Sequence, residues 1–335
     1  MNSTYRWEDF MTKAIRMYET GGSDVLKWEA HDPGAPGNGD VLVRQEAVGL
    51  NFIDVYHRTG LYPLPSLPAI PGLEGAGIVE AVGDGVRDFH RGDRVAYAGI
   101  PPGAYAEKRI MPAHRLVKVP DEISLKNAAG MMLQGMTARY LLKGCFPVGE
   151  KTTLLIHAAA GGVGTLVCQW AKAMGATIIG TVGSREKAEM AKSNGCDHAV
   201  LYTDAQWDQK VRAITDNQGV DVVYDSVGQA TFMKSLDCLK PMGMMVSFGQ
   251  SSGAVAPVDI SILAQKGSVF LTRPSLMTYT EKREDLLAHA RDLFEVVASG
   301  AVKIHIDRTY ALKDAKQAHD DLEGRKTKGS VVLLV

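Results

Sequence analysis

Excess charge of either sign is missing from this chain: 37 Lys and Arg stand against 38 Asp and Glu, a formal net charge of −1 over 335 residues. Such a balance offers no general attraction for nucleic acid or anionic lipid, so any binding to polyanions would have to be local. No basic stripe with interleaved aromatics is present either, which argues against a nucleic-acid partner. Cysteine is scarce. Cys145, Cys168, Cys196 and Cys238 are far apart and form no Cys-x-x-Cys pair, so buried thiols in a reducing compartment are expected rather than a metal site or a disulfide scaffold. Uninterrupted apolar stretches of about 18 residues are absent, which removes the signature of a membrane-spanning helix. The first ten residues mix acidic, basic and aromatic side chains around no apolar core and are not expected to act as a signal peptide. They read as an extension ahead of a first strand that opens at Met11, and a cytoplasmic address is expected. Neither repeats nor low-complexity segments occur, and the histidines form no nucleophilic or metal-ligating pattern. His57 reads as a surface loop residue.

What is present is the composition of a soluble globular chain, 45% hydrophobic and 22% charged, with room for two domains. Its most informative stretch begins at Leu154-Leu155-Ile156-His157, meets Ala158-Ala159-Ala160-Gly161-Gly162-Val163-Gly164, and continues with apolar residues at 163, 167, 170, 171 and 174. That spacing fits one face of a helix after a short strand and a tight turn. Gly175 is placed to end the helix, and 177–182 reads as a second buried strand, which completes a βαβ unit. A glycine turn opening a helix lets backbone N–H groups and the positive helix end hold a pyrophosphate. The spacing is Ala159-x-Gly161-x-x-Gly164, with alanine at the first glycine position.

Ahead of this unit, residues 11–120 read as short strands and turns, a mostly β domain. The segment 51–62 and a Pro-rich loop through Pro71 interrupt it. From about Asn127 strands and helices alternate, as in a doubly wound parallel sheet. A helix is expected over 128–143, and six strands are expected to begin near Thr153, Thr177, His198, Asp221, Met244 and Val269. A long amphipathic helix over 281–299, a strand at 303–306, a helix over 312–323 and a last strand at 330–335 follow. That last strand is expected to return to the β domain.

In such a unit an acidic residue about 20 residues past the glycines commonly takes the ribose hydroxyls of NAD. Here the second strand runs into Gly183-Ser184-Arg185-Glu186-Lys187. Ser184 suits an N-cap, with Gly195 beyond the helix end. Cations in a first helical turn oppose the helix dipole unless an anion is bound there. A 2′-phosphate is such an anion, so NADP(H) is expected over NAD(H).

Six segments together resemble the zinc-independent quinone oxidoreductases, the zeta-crystallin group of the medium-chain dehydrogenase/reductase superfamily. They are Asn51-Phe52-Ile53-Asp54, Pro71-Gly72-Leu73-Glu74-Gly75-Ala76-Gly77, Gly92-Asp93-Arg94-Val95, Gln134-Gly135-Met136-Thr137-Ala138, Ala158 to Gly164, and Thr272-Arg273-Pro274-Ser275. The resemblance spans nearly the whole chain from Met11. It implies an α/β protein in which a GroES-like, mostly β domain (residues 1–130 and 300–335) joins a Rossmann domain (131–299), with a cleft between them where NADPH reduces a quinone. Zinc-dependent members of the superfamily place cysteine where Asn51 stands and histidine where Leu73 stands, and they carry a four-cysteine lobe missing here. A catalytic zinc needs about three protein ligands, so no metal is expected.

The resemblance further implies site residues. Asn51, Tyr56 and Tyr62 are expected to face the reacting rings, with Asp54 orienting its neighbours. Gln134 and Thr137 are expected on the nicotinamide side, Gly161, Gly162 and Val163 at the pyrophosphate, and Gly183, Lys187 and Tyr202 around the 2′-phosphate. Phe248, Gly249, Gln250 and Arg273 belong to the implied cofactor cleft. Of the basic residues Arg325, Lys326 and Lys328, Lys328 is the one expected at cofactor phosphate. Reduction of alkenals or enones is an alternative activity, and a non-catalytic NADPH- or RNA-binding crystallin-like role is an alternative of another class. A homodimer paired along 269–272 is expected from the family.

Overall fold

A computed structural model of the protein describes residues 11–335; the reading given to residues 1–10 lies outside them. The chain forms two compact units. The first holds the residues up to Leu133 with Lys282–Ala290 and Ile304–Val335, and the second holds Gln134–Glu281 and Arg291–Lys303.

Taken in chain order, the first unit starts with β1 (Thr12–Arg16) and β2 (Lys27–His31), an antiparallel pair, and continues with β3 (Asp40–Leu50). Helix α1 (Phe52–Thr59) then leads to β4 (Glu74–Val82), β5 (Arg94–Ala98), β6 (Lys108–Pro112), β7 (Val117–Lys118) and the short helix α2 (Leu125–Ala129). Alternation along β3 sends Val41 and Val43 into an apolar core shared with Val48, Val79, Val95 and Tyr105, as half-buried antiparallel strands require. Segment 51–62 is thus mainly helical. Its start is set by Asn51 at the N-cap in a reciprocal capping box with Asp54, and its end by Gly60 in the left-handed region, whose N–H donates to the His57 carbonyl.

Helix α3 (Met132–Arg139) follows Gly130, the cap of α2, so the helix expected over 128–143 is broken there. It ends in a wide π turn, Tyr140–Cys145. The hydroxyl of Tyr224 donates to the Leu141 carbonyl at 2.8 Å, and that competing donor accounts for the irregular turn.

The second unit is built on β8 (Thr153–His157), α4 (Gly162–Ala173), β9 (Thr177–Val182), α5 (Arg185–Ser193), β10 (His198–Leu201), α6 (Trp207–Ile214), β11 (Val220–Asp225), α7 (Phe232–Asp237), β12 (Leu239–Ser247), α8 (Ser261–Gln265) and β13 (Phe270–Thr272). Its six strands pair in the order β10-β9-β8-β11-β12-β13, all parallel. The order reverses beside β8, the switch point at which open α/β sheets bind ligands. Leu154, Leu155 and Ile156 are fully buried, as a strand covered on both faces demands.

Past α9 (Leu276–Tyr279), helix α10 (Arg283–Ala298) supplies residues to both units. The first unit then resumes with β14 (Ile306–Ala311), α11 (Ala315–Glu323) and β15 (Ser330–Leu334). β15 pairs antiparallel with β3 and parallel with β14, giving a seven-stranded sheet. The strand expected at 303–306 starts three residues later. Its register is fixed by its partner, Ile306 lying opposite Ser330, and not by the apolar alternation at 304–306.

Candidate functional site

The turn after β8 is shaped by close approaches. A Cβ at Gly164 would lie 2.3 Å from the Ala158 carbonyl oxygen and 2.8 Å from the Ala159 Cα, so backbone itself excludes any larger residue. Ala158 adopts φ 53°, an unfavourable left-handed conformation for a residue with a Cβ. The alanine at the first glycine position is explained by the neighbouring strand. A Cβ at Gly180 of β9 would stand 2.5 Å from the Ala159 methyl group, so the space a glycine at 159 would leave open is made on β9 instead.

Helix α4 begins at Gly161, which offers no side-chain cap. Its first-turn N–H groups and positive helix end are those a pyrophosphate can use. A Cβ at Gly162 would fall 2.2 Å from the Gln134 amide oxygen. Gln134 therefore lies against the turn, and Thr137, one helical turn along α3, is buried with it. At the end of β9 a Cβ on Gly183 would meet the Tyr202 hydroxyl at 2.6 Å. Ser184 caps α5 by accepting from the Lys187 N–H at 3.2 Å. Gly183, Lys187 and Tyr202 are thus gathered at one strand end, and this cradle suits a phosphorylated nucleotide.

Past β12, Arg273 donates from Nη1 to the Ser247 and Gly249 carbonyl oxygens at 2.9 and 3.0 Å, holding the segment of Phe248, Gly249 and Gln250. Val163 is half-buried at the mouth of the turn. Lys328 belongs to the first unit, where its N–H donates to Asp307 at 3.0 Å, and Lys326 pairs with Asp321 at 3.1 Å.

One cluster was not legible in advance. His157, buried at the end of β8, contacts the Thr181 hydroxyl at 2.7 Å through Nδ1 and the Ser235 hydroxyl at 2.8 Å through Nε2. Asp225 accepts from Thr231 Oγ1 at 2.8 Å and from the Val227 and Gly228 N–H groups. The trio of Ser235, His157 and Asp225 has the residue types of a nucleophilic triad, but burial holds the His157 imidazole below its usual pKa. It ties together the ends of β8, β9 and β11 and is structural. The sequence hint was a histidine ending a buried strand.

In the first unit Asn51, Tyr56 and Tyr62 come together around α1. The Tyr56 and Tyr62 rings meet edge to face with centroids 5.0 Å apart, and Phe52 lies 5.6 Å from Tyr56. His57 is on the helix rather than in a loop; its ring is half-buried near Tyr62. Asn51 Nδ2 donates to Glu74 Oε2 at 2.6 Å, and Glu74 Oε1 accepts from the Leu133 N–H at 2.8 Å. Gly49 makes room for this carboxylate: a Cβ there would lie 2.1 Å from Glu74 Oε2 and 2.3 Å from the Ala129 carbonyl oxygen. Asp54 Oδ2 accepts from the Asn51 N–H at 2.9 Å and from Tyr105 at 3.1 Å. Burial pushes the Asp54 carboxyl up to about 7 and the Glu74 carboxyl up to about 8, although donated hydrogen bonds oppose the shift in both. Leu73 is buried and apolar. Among the described residues no group of three or more His, Cys, Asp or Glu is arranged to hold a metal ion, and no helix is long and apolar enough to cross a membrane.

Two family models match the chain, the alcohol dehydrogenase GroES-like domain over residues 37–121 and the zinc-binding dehydrogenase domain over 162–290. A quinone oxidoreductase of Pseudomonas aeruginosa is 47% identical over 324 residues, 97% of this chain and all of that protein. A 2-haloacrylate reductase of Burkholderia is 44% identical over 97% of this chain and 99% of its own length. The crystal structure of Escherichia coli quinone oxidoreductase complexed with NADPH superposes with a TM-score of 0.95 at 45% identity, covering 96% of this chain and all of that one. With its GroES-like and dinucleotide-binding portions each matched and relatives of this identity along its length, the chain belongs to the quinone oxidoreductases of the medium-chain dehydrogenase/reductase superfamily.

Proposed function

We propose that this protein is an NADPH-dependent quinone reductase working without a metal. The observation that carries the reading is the glycine-lined start of α4 followed, one strand later, by Gly183, Lys187 and Tyr202 at the head of α5. NADPH, when bound, supplies the hydride. The N–H groups of Gly161, Gly162 and Val163 hold its pyrophosphate, Lys187 and Tyr202 take the 2′-phosphate, and Gln134 and Thr137 flank the nicotinamide. Phe248, Gly249 and Gln250, braced by Arg273, complete the binding surface, and Lys328 reaches cofactor phosphate. The NADPH held by the Escherichia coli relative supports this assignment.

Asn51, Tyr56 and Tyr62 face the acceptor. They orient its ring, exclude water and donate hydrogen bonds to oxyanion charge as it develops. Asn51 and Leu73 replace two ligands that a zinc would need, so no Lewis acid polarises the acceptor and it must already be electrophilic. A quinone meets that condition and a simple alcohol does not. Enone-type acceptors form a second reading, favoured by the 2-haloacrylate reductase among the relatives. The protein works in the cytoplasm as a homodimer, in which the exposed edge strand β13, with Phe270 58% and Leu271 42% exposed, pairs with its own copy.

Steady-state turnover with NADPH and NADH on 1,2- and 1,4-naphthoquinone and on 3-nonen-2-one tests the assignment. Quinone turnover preferring NADPH is expected; strong enone turnover with none on quinones would reverse the order of the two readings. Stoichiometric zinc lost together with activity on chelation would overturn the metal-free assignment, and a monomer by light scattering would overturn the dimer.

A further inference from the structure

Behind Asn51 runs a chain of buried hydrogen bonds that ends on a helix more than 260 residues away. Arg58, 2% exposed, places Nη2 against both oxygens of Glu323 at 2.8 and 2.9 Å and donates from Nε to the Gly21 carbonyl at 3.2 Å. Its Nη1 lies 3.4 Å from His319 Nδ1. Guanidinium only donates, so His319 must accept at Nδ1 and carry its proton on Nε2. That tautomer makes Nε2 the donor to the Tyr105 hydroxyl, 3.0 Å away, and leaves the phenol to donate to Asp54 Oδ2 at 3.1 Å. Every link therefore points one way, from a buried cation to a buried carboxyl. Burial and the Arg58 charge hold the His319 imidazole down to about 3, which keeps it in the neutral form the chain needs.

Asp54 Oδ2 also accepts the Asn51 N–H, whereas Oδ1 is buried with no hydrogen-bond partner. Tyr105 is thus the side chain that decides which carboxyl oxygen faces the cap. If the carboxyl turned, the Asn51 N–H would lose its acceptor. The reciprocal cap would then loosen at the residue whose amide is fixed on Glu74 at 2.6 Å.

We propose that Tyr105 and His319 are positioning residues for quinone reduction: the chain Arg58–His319–Tyr105–Asp54 anchors the cap that orients Asn51, tying the acceptor face to helix α11. This rests on the reading of Asn51 as facing the acceptor. Tyr105→Phe keeps the ring and removes one donor, so it should slow hydride transfer about tenfold, the scale of one buried hydrogen bond. NADPH binding, read by fluorescence titration, should stay unchanged. Amide hydrogen exchange of the cofactor-free protein should rise in the peptide spanning 51–59 and not in β8 or β11. His319→Gln, whose amide can still donate toward Tyr105, should recover most of the rate lost in His319→Leu.

The deciding comparison is a double-mutant cycle. In an Asn51→Ala background Tyr105→Phe should have no further effect on the rate, because the group it positions is gone. Equal slowing in both backgrounds, or no effect of Tyr105→Phe on exchange at 51–59, would overturn the anchoring role alone. An Asn51→Ala enzyme with the wild-type rate would instead overturn the reading of Asn51 itself, and the positioning role with it.

Discussion

Replacing Glu74 by glutamine turns the burial of this carboxyl into a measurable pH dependence. The group is fully buried, accepts from Asn51 and Leu133, and is pushed up to about 8. In the unfolded chain it ionises near pH 4.3, roughly the ordinary glutamate value, so from about pH 4.3 to about pH 8 the folded state binds more protons and stability falls as pH rises, levelling off above that. Between about pH 7 and about pH 8.5 the loss from Glu74 works out at roughly 1.3 kcal/mol, with roughly 0.4 kcal/mol more from Asp54 at about 7. The difference between the two proteins isolates Glu74. Buried His157 and His319 have lowered pKa values, so their contribution rises with pH only up to about 6.5 and is constant above it. The cysteine thiols of the unfolded chain are half ionised at about pH 8.5 and add a loss that both proteins share. Urea unfolding at the two ends of the window should show wild type losing roughly 1.3 kcal/mol more than Glu74→Gln. Since glutamine resembles the neutral acid and takes up no proton on folding, Glu74→Gln should be the more stable protein at the lower pH, by up to roughly 3.6 kcal/mol. Parallel pH slopes would mean that Glu74 is ionised in the folded protein, and the reasoning would fail.

Three other substitutions have defined outcomes. Lys187→Ala should weaken NADPH binding by about 1–3 kcal/mol, the range for a hydrogen bond to a charged group, and leave NADH nearly unchanged; equal losses for both cofactors in fluorescence titration would remove Lys187 from the phosphate. Gly49→Ala, which sets a methyl group 2.1 Å from Glu74 Oε2 and 2.3 Å from backbone oxygen, should destabilise by more than about 2 kcal/mol and lower activity, a result that thermal unfolding and quinone turnover check together. Ala158→Gly should stabilise or be neutral, by up to about 1 kcal/mol, because φ 53° suits glycine; a drop in the unfolding midpoint would show that the Ala158 methyl group matters more than its backbone.

Much of the second unit could be read in advance because its signals are local. The apolar run 154–156, the helical spacing from Val163, the Ser184 cap and Gly175 and Gly195 beyond helix ends need no distant partner, and each is where it was expected. Features settled by tertiary contact were not readable. The π turn at 140–145 answers to Tyr224, and the start of β14 answers to Ser330. The same holds for the site. Asn51, Tyr56 and Tyr62 lie within one short segment, and the sequence brings them together. Tyr105 and His319 touch α1 only through the fold, and nothing in their sequence neighbourhood marks them.

The Ala159–Gly180 contact has a consequence for how such turns are recognised. The glycine that the usual fingerprint demands has been relocated across the sheet, from the loop to the adjoining strand. Steric room at this corner is then a property shared by two residues 21 positions apart, and a pattern that scans one loop inspects half of it. Exchanging the pair, Ala159→Gly with Gly180→Ala, should relieve the contact with residue 159 but leave the new methyl group 2.8 Å from Cys196 Sγ, so it should recover only part of the stability that Gly180→Ala alone loses.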